Sequence, residues 1–594
     1  MPGIHTLIHK PGAFPKPILE SDFDFTLHKK NFTAKIFYQS ITSTFAASLY
    51  DGYPFKFFTY NEVLISIEGF IYNFSKSDLE TRLFRIADEL RKNEESCQKL
   101  IGDFVNSADG DFIIQMWDIK TQTYLLFNDF FNRLSVYFYK DDTMLLISKE
   151  IKTLLTFIPS IHLNQNTLVE YVLREHPLGT KTLFTNINRL TPRNILILKI
   201  RNNSLSLTAA VSVDWNFKEK KRYLSRKESI NDLNKKFSES IRNRVQTIQE
   251  HGYSIIADLS GGFDTRTILA GLSKTSKNVQ YFTFEYIRDE SQYAQAIFQA
   301  MGSPGSYHKI KFNNSQVDDL SQLVYTTDGL VNYYTTGVCF NDVKELYKQA
   351  PANAVRFSGL GGEFIRHPYK NFYFSLLKGF EHGFYETLLP INTACRLFKV
   401  NPSNFRKTLG KYLKSYPEKN TSDKLKHLYY EYYNNYVGIA AEERERIHFW
   451  TAQPLWGTFF LKAIYERLPL RWANFRYHVD LLKSLSHKLI TFPFYGQNFK
   501  PSSEISMWFF DFIYWLKRNS LTKIIIKKII KPKRPHEDEL INQIFEQQKS
   551  LTHLNNVVDV NFIGLNNFPK AILRRILTLL MYFREIEKRH GEKL

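Results

Sequence analysis

One stretch in the middle of the chain constrains the fold more than any other, because it places a short strand, a glycine loop and a helix in direct succession. Residues 253–272 read YSIIADLSGGFDTRTILAGL. The apolar run Ser254–Leu259 predicts a buried strand, Ser260–Gly262 a tight loop, and the residues from Asp264 to Leu272 a helix. Strand-like and helix-like segments alternate after it, which predicts an α/β domain in the centre of the chain.

The glycine loop has the composition of an anion site. Its two glycines allow the backbone to approach a ligand closely and to turn N–H groups toward it. The following helix adds the positive end of its dipole, and Ser260 and Thr265 add hydroxyl donors. Asp264 is placed both to cap the helix and to hold a magnesium ion. The loop therefore suits a pyrophosphate with its metal; a plain strand-to-helix turn with an aspartate cap is the alternative.

The first 200 residues are strand-rich, with short apolar or aromatic runs separated by Gly, Asp and Asn turns. The predicted strands include Val63–Ile67, Phe112–Trp117, Thr123–Phe127, Met144–Ile147 and Asn194–Ile200. Asp141 and Asp142 predict a hairpin turn just before the fourth of these runs. The polar and basic composition from Arg201 to Arg226 predicts a linker.

A long helix is predicted directly after this linker. Between Ile230 and Gln249, apolar residues recur every four positions and mark one helix face. They are Leu233, Phe237, Ile241 and Val245. Mostly helical patterns continue toward the carboxyl end of the chain. We therefore predict three regions: a β-rich domain over residues 1–205, an α/β domain over residues 225–500, and a helical, basic region over residues 501–594.

Composition narrows the class of protein and of partner. Three cysteines in 594 residues exclude a disulfide scaffold and a cysteine-rich metal site, and they fit a reducing cytosol, so the expected location is the cytoplasm. No apolar run is long enough for a signal peptide or a membrane span. The net charge of +20 permits polyanionic partners, but the basic residues lack the aromatic interleaving of a nucleic-acid site. We expect no nucleic-acid partner.

The stretch 515–532 is the strongest candidate for a surface helix. It reads WLKRNSLTKIIIKKIIKP and alternates isoleucines with lysine pairs at roughly helical spacing. One interpretation is an amphipathic helix with its isoleucines in the protein core. The other is a helix on an anionic membrane surface, which would give peripheral membrane contact without a span. The sequence leaves the oligomeric state open.

Several central motifs resemble those of the asparagine synthetase family. Residues 260–265 resemble the S-G-G-x-D-S loop of ATP pyrophosphatases, which cleave ATP between its α and β phosphates, with Thr265 in place of the last serine. Residues 280–285, QYFTFE, resemble the second parallel strand of that fold, where the adenine binds. Asp289-Glu290 is similar to the start of the family's D-E-x-x-x-A helix. Arg356–Phe364, RFSGLGGEF, resembles its S-G-(D/E)-G-(G/S)-D-E signature.

The amino-terminal half resembles the glutaminase half of the same family. Glu68–Asn73 is similar to N-G-E-I-Y-N, Asp109–Asp118 to L-x-G-x-F-A-F-x-x-W-D, and Asp129–Leu155 to the segment that ends in S-E-x-K-A-L-L. Leu183–Pro192 is similar to the connector between the halves. The resemblance, from residue 1 to about 500, implies an α+β N-terminal-nucleophile-like αββα sandwich. An α/β adenine-nucleotide α-hydrolase-like (PP-loop) domain with a helical C-terminal region would follow.

Two departures from the family bear on the glutaminase reaction. The family uses a cysteine directly after the initiator methionine as nucleophile. Here Pro2 takes its place and has neither thiol nor hydroxyl. Phe70 takes the place of the acidic residue in the glutamine-binding motif, although Asn73 remains. We predict a structural domain without glutaminase activity, as in β-lactam synthetases and lasso-peptide cyclases, which use an amine already present in the substrate or nearby.

The second signature also departs from the family. Leu360 takes the place of an acid, Glu363 that of the Asp, and Phe364 that of the Glu, so that one carboxylate of three remains. Asp264 and Glu363 are the predicted catalytic and magnesium-binding residues. Two carboxylates with phosphates and water are a sufficient ligand set for that ion.

The resemblance assigns further residues to the nucleotide. They are Leu259, Ser260, Gly261, Gly262, Asp264, Thr265, Phe284, Ser358, Gly359 and Gly361. The family's catalytic lysine cannot be placed by motif. Three lysines lie in the region where it is expected, Lys462, Lys483 and Lys488, and each is predicted to be a solvated surface side chain.

Together these features predict an ATP-dependent, AMP- and pyrophosphate-forming amide ligase that uses ATP and Mg²⁺. A small-molecule or peptide carboxylate would be activated as an acyl-adenylate and attacked by an amine donor or ammonia. The alternatives are an asparagine synthase that hydrolyses glutamine, and a non-catalytic scaffold that binds nucleotide or nothing. The loss of acids at Leu360 and Phe364 favours the scaffold, whereas the complete glycine loop favours the ligase.

Overall fold

The structure is a computed structural model. It describes residues 1–14, 17–26, 28, 31–201, 204–217, 225–285, 289–302, 305–311, 320–366, 389–468, 475–493, 501–508, 557–559, 562 and 568–593. The stretch 515–532 and most of the predicted basic region 501–594 lie outside the described residues.

The amino-terminal part of the chain forms two six-stranded antiparallel sheets. Their strands are β1 (Gly3–His9), β2 (Phe32–Gln39), β3 (Ser43–Tyr50), β4 (Phe55–Tyr60), β5 (Val63–Ile71), β6 (Gly110–Asp118), β7 (Thr123–Asn128), β8 (Tyr137–Lys140), β9 (Met144–Ser148), β10 (Ile187–Arg189), β11 (Asn194–Arg201) and β12 (Ser204–Val211). The strand order is β10-β8-β9-β1-β3-β2 in the first sheet and β12-β11-β7-β6-β5-β4 in the second. All predicted strands of this region are present, and Asp141 and Asp142 connect β8 to β9 as a hairpin.

The two sheets pack face to face. The Phe45 ring lies 6.0 Å from Trp117 and 6.1 Å from Tyr124 on the opposite sheet. Between them Thr6 Oγ1 donates to Gln115 Oε1 at 2.6 Å, so that the buried polar atoms are paired. The core of this sandwich is therefore apolar and aromatic, with a few hydrogen-bonded polar groups.

Helices cover both outer faces of the sandwich. Helices α1 (Lys76–Lys92) and α2 (Glu94–Ser107) pack on the second sheet, and α3 (Ile151–Phe157) and α4 (Gln165–Arg174) pack on the first. The result is a four-layered helix–sheet–sheet–helix arrangement, the one that the resemblance implies.

The central part of the chain forms a five-stranded parallel sheet. Its strands are β13 (Ser254–Asp258), β14 (Val279–Glu285), β15 (Ser306–Lys311), β16 (Ala354–Phe357) and β17 (Trp450–Ala452). The order is β15-β14-β13-β16-β17, so the chain adds strands on one side of β13 and then on the other. The carboxyl ends of β13 and β16 therefore lie next to each other at the point where the order reverses. The alternation of strands and helices predicted for this part of the chain is present, and β14 pairs in parallel with β13.

The other α-helices belong to this domain and to the regions around it. They are α5 (Arg226–Glu250), α6 (Phe263–Thr275), α7 (Ser291–Met301), α8 (Leu320–Thr326), α9 (Tyr333–Gln349), α10 (Ile391–Leu397), α11 (Pro402–Lys414), α12 (Thr421–Tyr432), α13 (Thr458–Arg467), α14 (Phe475–Leu485), α15 (Lys488–Thr491) and α16 (Lys570–His590). Within the described part of the chain, none of the helices is long and apolar enough to cross a membrane.

Short helical turns complete the described elements. The 3₁₀ turns are Glu20–Thr26, Gly362–Arg366, Glu445–Ile447, Pro454–Trp456 and Gly591–Lys593. Two π-helical turns, Tyr433–Val437 and Ile439–Glu443, follow α12. Such turns are rare and occur often at functional sites.

The predicted linker is wrong in part, whereas the predicted helix after it is confirmed. Ser204–Val211, inside the linker, is strand β12 and pairs antiparallel with β11. Because β12 is an edge strand with one solvated face, every second residue is polar and the segment reads as hydrophilic. Helix α5 starts with a capping box between Ser225 and Glu228, and the whole predicted apolar face is buried.

Buried ion pairs join the sandwich to the parallel-sheet domain. Arg244 on α5 donates to Asp109 at the start of β6, with Nη1 2.6 Å from Oδ2. Arg133 donates to the carbonyl of Trp456 at 2.9 Å, and Lys149 lies 2.9 Å from Glu443. All of these charged groups are almost fully buried, so the two domains share one desolvated polar interface.

Candidate active site

A cavity of about 330 Å³ lies at the carboxyl ends of β13 and β16. The loops that follow these strands, residues 260–265 and 358–363, both line it. In open α/β sheets, ligands bind in the crevice where the strand order reverses, and this cavity occupies that crevice. The predicted site residues that line it are Ser260, Gly262, Asp264, Thr265, Ser358, Gly359 and Glu363.

The glycine loop is held by its own hydrogen bonds. The Ser260 N–H donates to Thr265 Oγ1 at 3.0 Å, and the Gly262 N–H donates to Ser260 Oγ at 3.1 Å. The Gly261 N–H donates to Glu290 Oε2 at 2.8 Å, from the residue that precedes α7. The N–H groups predicted to face a phosphate therefore have protein acceptors, one of which is itself an anion.

Asp264 does not cap the helix, contrary to the prediction. Helix α6 begins at Phe263, and its N-cap is Gly262 without a side-chain cap hydrogen bond. Asp264 thus lies in the first turn, with its carboxylate on the cavity wall. Arg366 Nη2 donates to Oδ2 at 3.0 Å, and His478 Nδ1 lies 3.4 Å from Oδ1.

Asp264 and Glu363 form a pair of carboxylates that suits a divalent cation. Burial raises the pKa of Glu363, and the Asp264 carboxylate raises it further, because a neighbouring negative charge disfavours the ionised form of Glu363. Oδ1 of Asp264 has no hydrogen-bond partner among the described residues. No group of three or more His, Cys, Asp or Glu side chains in the described ranges could hold a metal ion by itself. The pair fits Mg²⁺ that takes its other ligands from phosphate oxygens and water.

The second loop approaches Asp264 so closely that glycine is required. A Cβ atom at Gly359 would lie 2.8 Å from Asp264 Cβ, and one at Gly362 would overlap the Asp264 carboxylate. Gly361 has a φ of 95°, and its N–H donates to Tyr433 Oη at 2.8 Å. The glycines of the predicted signature are thus explained by close packing of the two loops.

Four residues that the resemblance assigns to the nucleotide are not part of the cavity lining. They are Leu259, Gly261, Phe284 and Gly361. Leu259 is buried in the core next to the sheet. Phe284 lies near the carboxyl end of β14, where the Arg356 guanidinium is 5.9 Å from its ring centroid.

The two altered acidic positions of the second signature have different surroundings. Leu360 lines the cavity, in the place where the family has a carboxylate. Phe364 is fully buried, with its ring centroid 4.3 Å from that of Tyr433. A carboxylate at position 364 would therefore be desolvated in an aromatic cluster, which explains why the chain keeps an apolar residue there.

None of the three candidate lysines lines the cavity. Lys462 Nζ donates to Asn106 Oδ1 at 2.8 Å and lies over the Phe130 ring. Lys483 and Lys488 are exposed. The described residues therefore offer no lysine from this set for the reaction.

The cavity lining also includes five polar residues that were not predicted from the sequence. They are Asp258, Arg356, Glu442, Glu445 and Gln453. Charged residues inside the otherwise apolar strands β13 and β16 were the available signal for the first two. The other three follow α12 or β17, and no motif connects them to the glycine loop. Only the fold brings them to it.

The place predicted for the glutaminase nucleophile is surrounded by paired side chains. Tyr53 Oη donates to Glu68 Oε1 at 2.6 Å and lies 3.5 Å from the Pro2 carbonyl oxygen. Glu68 Oε2 accepts from the Ile4 N–H at 3.0 Å, and Lys149 Nζ lies 3.8 Å from Glu68. Burial raises the pKa of Glu68, although the Lys149 ammonium opposes this shift.

The comparisons identify the type of the amino-terminal domain. Residues 53–208 match a family model described as a glutamine amidotransferase domain, so this part of the chain is a domain of that type. No curated protein matches the chain in sequence.

Two solved structures are similar only at a low level. One is described as the allosteric regulatory enzyme of purine biosynthesis (TM-score 0.23, 8% identity, 52% of this chain and 80% of that chain covered). The other is glutamine phosphoribosylpyrophosphate amidotransferase from B. subtilis, complexed with ADP and GMP (TM-score 0.23, 8% identity, 60% and 81% covered). Values this low assign no function to the chain.

Proposed function

We propose that the protein is an ATP-dependent, AMP-forming amide ligase. In this reaction a substrate carboxylate attacks the α-phosphate of ATP, pyrophosphate leaves, and an amine or ammonia then takes the acyl group. The observation that carries the proposal is the meeting of the two loops, 260–265 and 358–363, in one cavity at the reversal point of a parallel sheet.

The residues of the two loops supply the charges and donors that such a reaction needs. Asp264 and Glu363 would hold Mg²⁺, which supplies stabilisation of the charge on the departing pyrophosphate when it is bound. Ser260 and Thr265 place two hydroxyls on the same wall, and the start of α6 adds its positive dipole end. Burial lowers the pKa of His478 to about 4, so the ring beside Asp264 is neutral near pH 7 and adds no positive charge there.

Glu290 has to leave the Gly261 N–H before a phosphate can accept from it. A carboxylate and a phosphate compete for the same donor and repel each other at close range. In the proposed reaction, nucleotide binding therefore displaces Glu290, and the free enzyme keeps the loop ordered with its own anion.

We also propose that the glutamine amidotransferase-type domain has a structural role without glutaminase activity. Pro2 offers no nucleophile, and the pairing of Glu68 with Tyr53 and Lys149 occupies the space beside it. Glutaminase assays on the unmodified protein and on Pro2→Cys test this point. Glutamine hydrolysis by the unmodified protein would contradict it and would favour the glutamine-hydrolysing asparagine synthase.

The products formed from ATP test the proposed ligase. ATP labelled at the α-phosphate is incubated with Mg²⁺ and panels of amino acids, dicarboxylates and peptides. A ligase of this class forms labelled AMP in response to one of the carboxylates. Labelled ADP would contradict the proposal. If no carboxylate stimulates turnover of ATP, the non-catalytic scaffold is favoured, whether or not the protein binds the nucleotide.

A further inference from the structure

The cavity has a second polar wall outside the two loops assigned to the nucleotide and the metal. Asp258, Arg356, Glu442, Glu445 and Gln453 form it. Nothing in the proposed pyrophosphate chemistry uses these side chains. They nevertheless lie in the same cavity as Asp264 and Glu363, where a second substrate would have to bind.

Gln453 is the most informative residue of this wall. Its side chain is only 2% exposed, and it lines the cavity. Among the residues that the structure describes, neither its amide nitrogen nor its amide oxygen has a hydrogen-bond partner. Its backbone is fixed, because the Gln453 carbonyl accepts from the Trp456 N–H at 3.1 Å. A buried amide with unmet donors and acceptor is destabilising, so it indicates a ligand that completes its hydrogen bonds.

Glu442 supports the same conclusion independently. It is 1% exposed and lies in the π-helical turn Ile439–Glu443. Its Oε2 accepts from Arg446 Nη2 at 3.0 Å, whereas its Oε1 has no partner within the described part of the chain. A regular α-helical backbone would point this side chain in another direction. The π turn therefore helps to place Glu442 on the cavity wall.

The charge of the wall selects the kind of ligand. Arg356 Nε and Nη2 donate to the Asp258 carboxylate at 2.9 and 2.7 Å, and Nη1 lies 2.6 Å from Glu445. Two carboxylates thus more than neutralise this guanidinium, and Glu442, itself paired with Arg446, adds a third carboxyl group whose Oε1 is unpaired among the described residues. An anion would be repelled by this wall, whereas an ammonium group would be attracted to it.

We infer that Gln453 and Glu442 form a binding site for the amine substrate. The ligand is a small primary amine in its protonated form that also carries a hydroxyl or carbonyl oxygen. The ammonium group donates to Glu442 Oε1 and Gln453 Oε1, and the ligand oxygen accepts from Gln453 Nε2. This inference rests on the proposed ligase function, because the amine is the group that accepts the acyl moiety.

Ethanolamine is the smallest probe with both groups, and its binding tests the inference. Two uncharged analogues serve as controls: ethylene glycol has a hydroxyl in place of the ammonium group, and N-acetylethanolamine carries its nitrogen as a neutral amide. So small a ligand binds in the millimolar range, which calls for titration by NMR of the full chain. We expect saturable binding of ethanolamine and none of the two uncharged analogues. Absence of ethanolamine binding, or equal binding of ethylene glycol, would overturn the inference.

Variants locate the site. Gln453→Leu and Glu442→Gln should each weaken ethanolamine binding about 10-fold or more. Glu170→Gln, at a buried glutamate paired with Lys181 outside the cavity lining, should leave it unchanged. Gln453→Leu should also raise the melting temperature, since it removes an unpaired buried amide. Unchanged affinity in both cavity variants would place the amine elsewhere and overturn the assignment.

ATP binding measured on the same samples separates this inference from the proposed function. ATP binding without ethanolamine binding would overturn the amine site alone. Ethanolamine binding that depends on Gln453, in a protein that neither binds nor turns over ATP, would overturn the ligase and leave the amine site standing.

Discussion

Asp264 is the residue with the most roles in the proposed reaction. Its carboxylate lies against Arg366 and His478, and it raises the pKa of Glu363 across the cavity. The sequence predicts its presence at the site, because it follows the glycine loop directly. Its part in capping could not be judged from the sequence, since Gly262 and Asp264 are both acceptable near a helix start.

The variant Asp264→Asn should lose nucleotide turnover while it keeps the fold. The change removes one of two carboxylates that would bind Mg²⁺ but retains the shape of the side chain. We expect a decrease of about 100-fold or more in the rate of AMP formation. Asp103→Asn, at an exposed site on α2, is the matched control and should behave as the unmodified protein. An Asp264→Asn protein with full activity would exclude this residue from the chemistry.

Glu290 should act as a competitor of the nucleotide. Glu290→Gln removes the negative charge that lies 2.8 Å from the Gly261 nitrogen, and it keeps a side chain of the same size. We expect ATP to bind about 5-fold more tightly, roughly 1 kcal/mol, in calorimetric titrations. Weaker binding would indicate instead that Glu290 contributes to the nucleotide site, for example through the cation.

Whole elements could be predicted from the sequence where their signals are local. The strands of the sandwich, the second parallel strand and the apolar face of α5 follow from period-2 and period-3.6 patterns that neighbouring residues carry. Strand β12 was missed because edge strands are half polar. The second wall of the cavity was missed for another reason: Asp258 and Gln453 are almost 200 positions apart, and only the sheet order brings them together.

Helix α5 connects the two kinds of sheet, so a cavity in its apolar face should destabilise the whole protein. Phe237 is fully buried and packs on Phe460. We expect Phe237→Ala to lower the free energy of unfolding by about 3–5 kcal/mol. Lys235 lies on the exposed face of the same helix, so Lys235→Ala should change the free energy of unfolding by less than about 0.5 kcal/mol. Urea unfolding of both variants measures the difference; equal values would show that this face is not part of the core.

At the scale of the whole molecule, the amino-terminal domain supports the site through buried charges. Asp109 accepts from Arg244 and also from the Thr458 N–H at 2.8 Å, at the start of α13. Glu443, in the same π turn as Glu442, pairs with Lys149 of the sandwich. These contacts do not depend on glutaminase activity. A domain without that activity would therefore still stabilise the site.

The pH dependence of stability should reveal this interface. Burial opposes ionisation of Asp109, but Arg244 outweighs it and lowers the pKa to about 2, below its ordinary value of 3.8. The carboxylate therefore adds stability above about pH 4 that is lost as the pH falls toward 2. We expect Asp109→Asn to cost about 3–5 kcal/mol near neutral pH and roughly 2 kcal/mol less near pH 2.

Unfolding midpoints of the unmodified protein, Asp109→Asn and Asp103→Asn between pH 6 and pH 2 provide the comparison. A cost of Asp109→Asn that does not change with pH would mean that Asp109 is not held in its charged form by Arg244.

The central claim, formation of an acyl-adenylate in this cavity, is tested most directly by carboxylate-dependent exchange of labelled pyrophosphate into ATP. Exchange needs the glycine loop, the metal and the acyl substrate but no amine. The account predicts exchange with at least one carboxylate, its loss in Asp264→Asn, and its persistence in Gln453→Leu. AMP formation without any exchange, or exchange that survives Asp264→Asn, would contradict it.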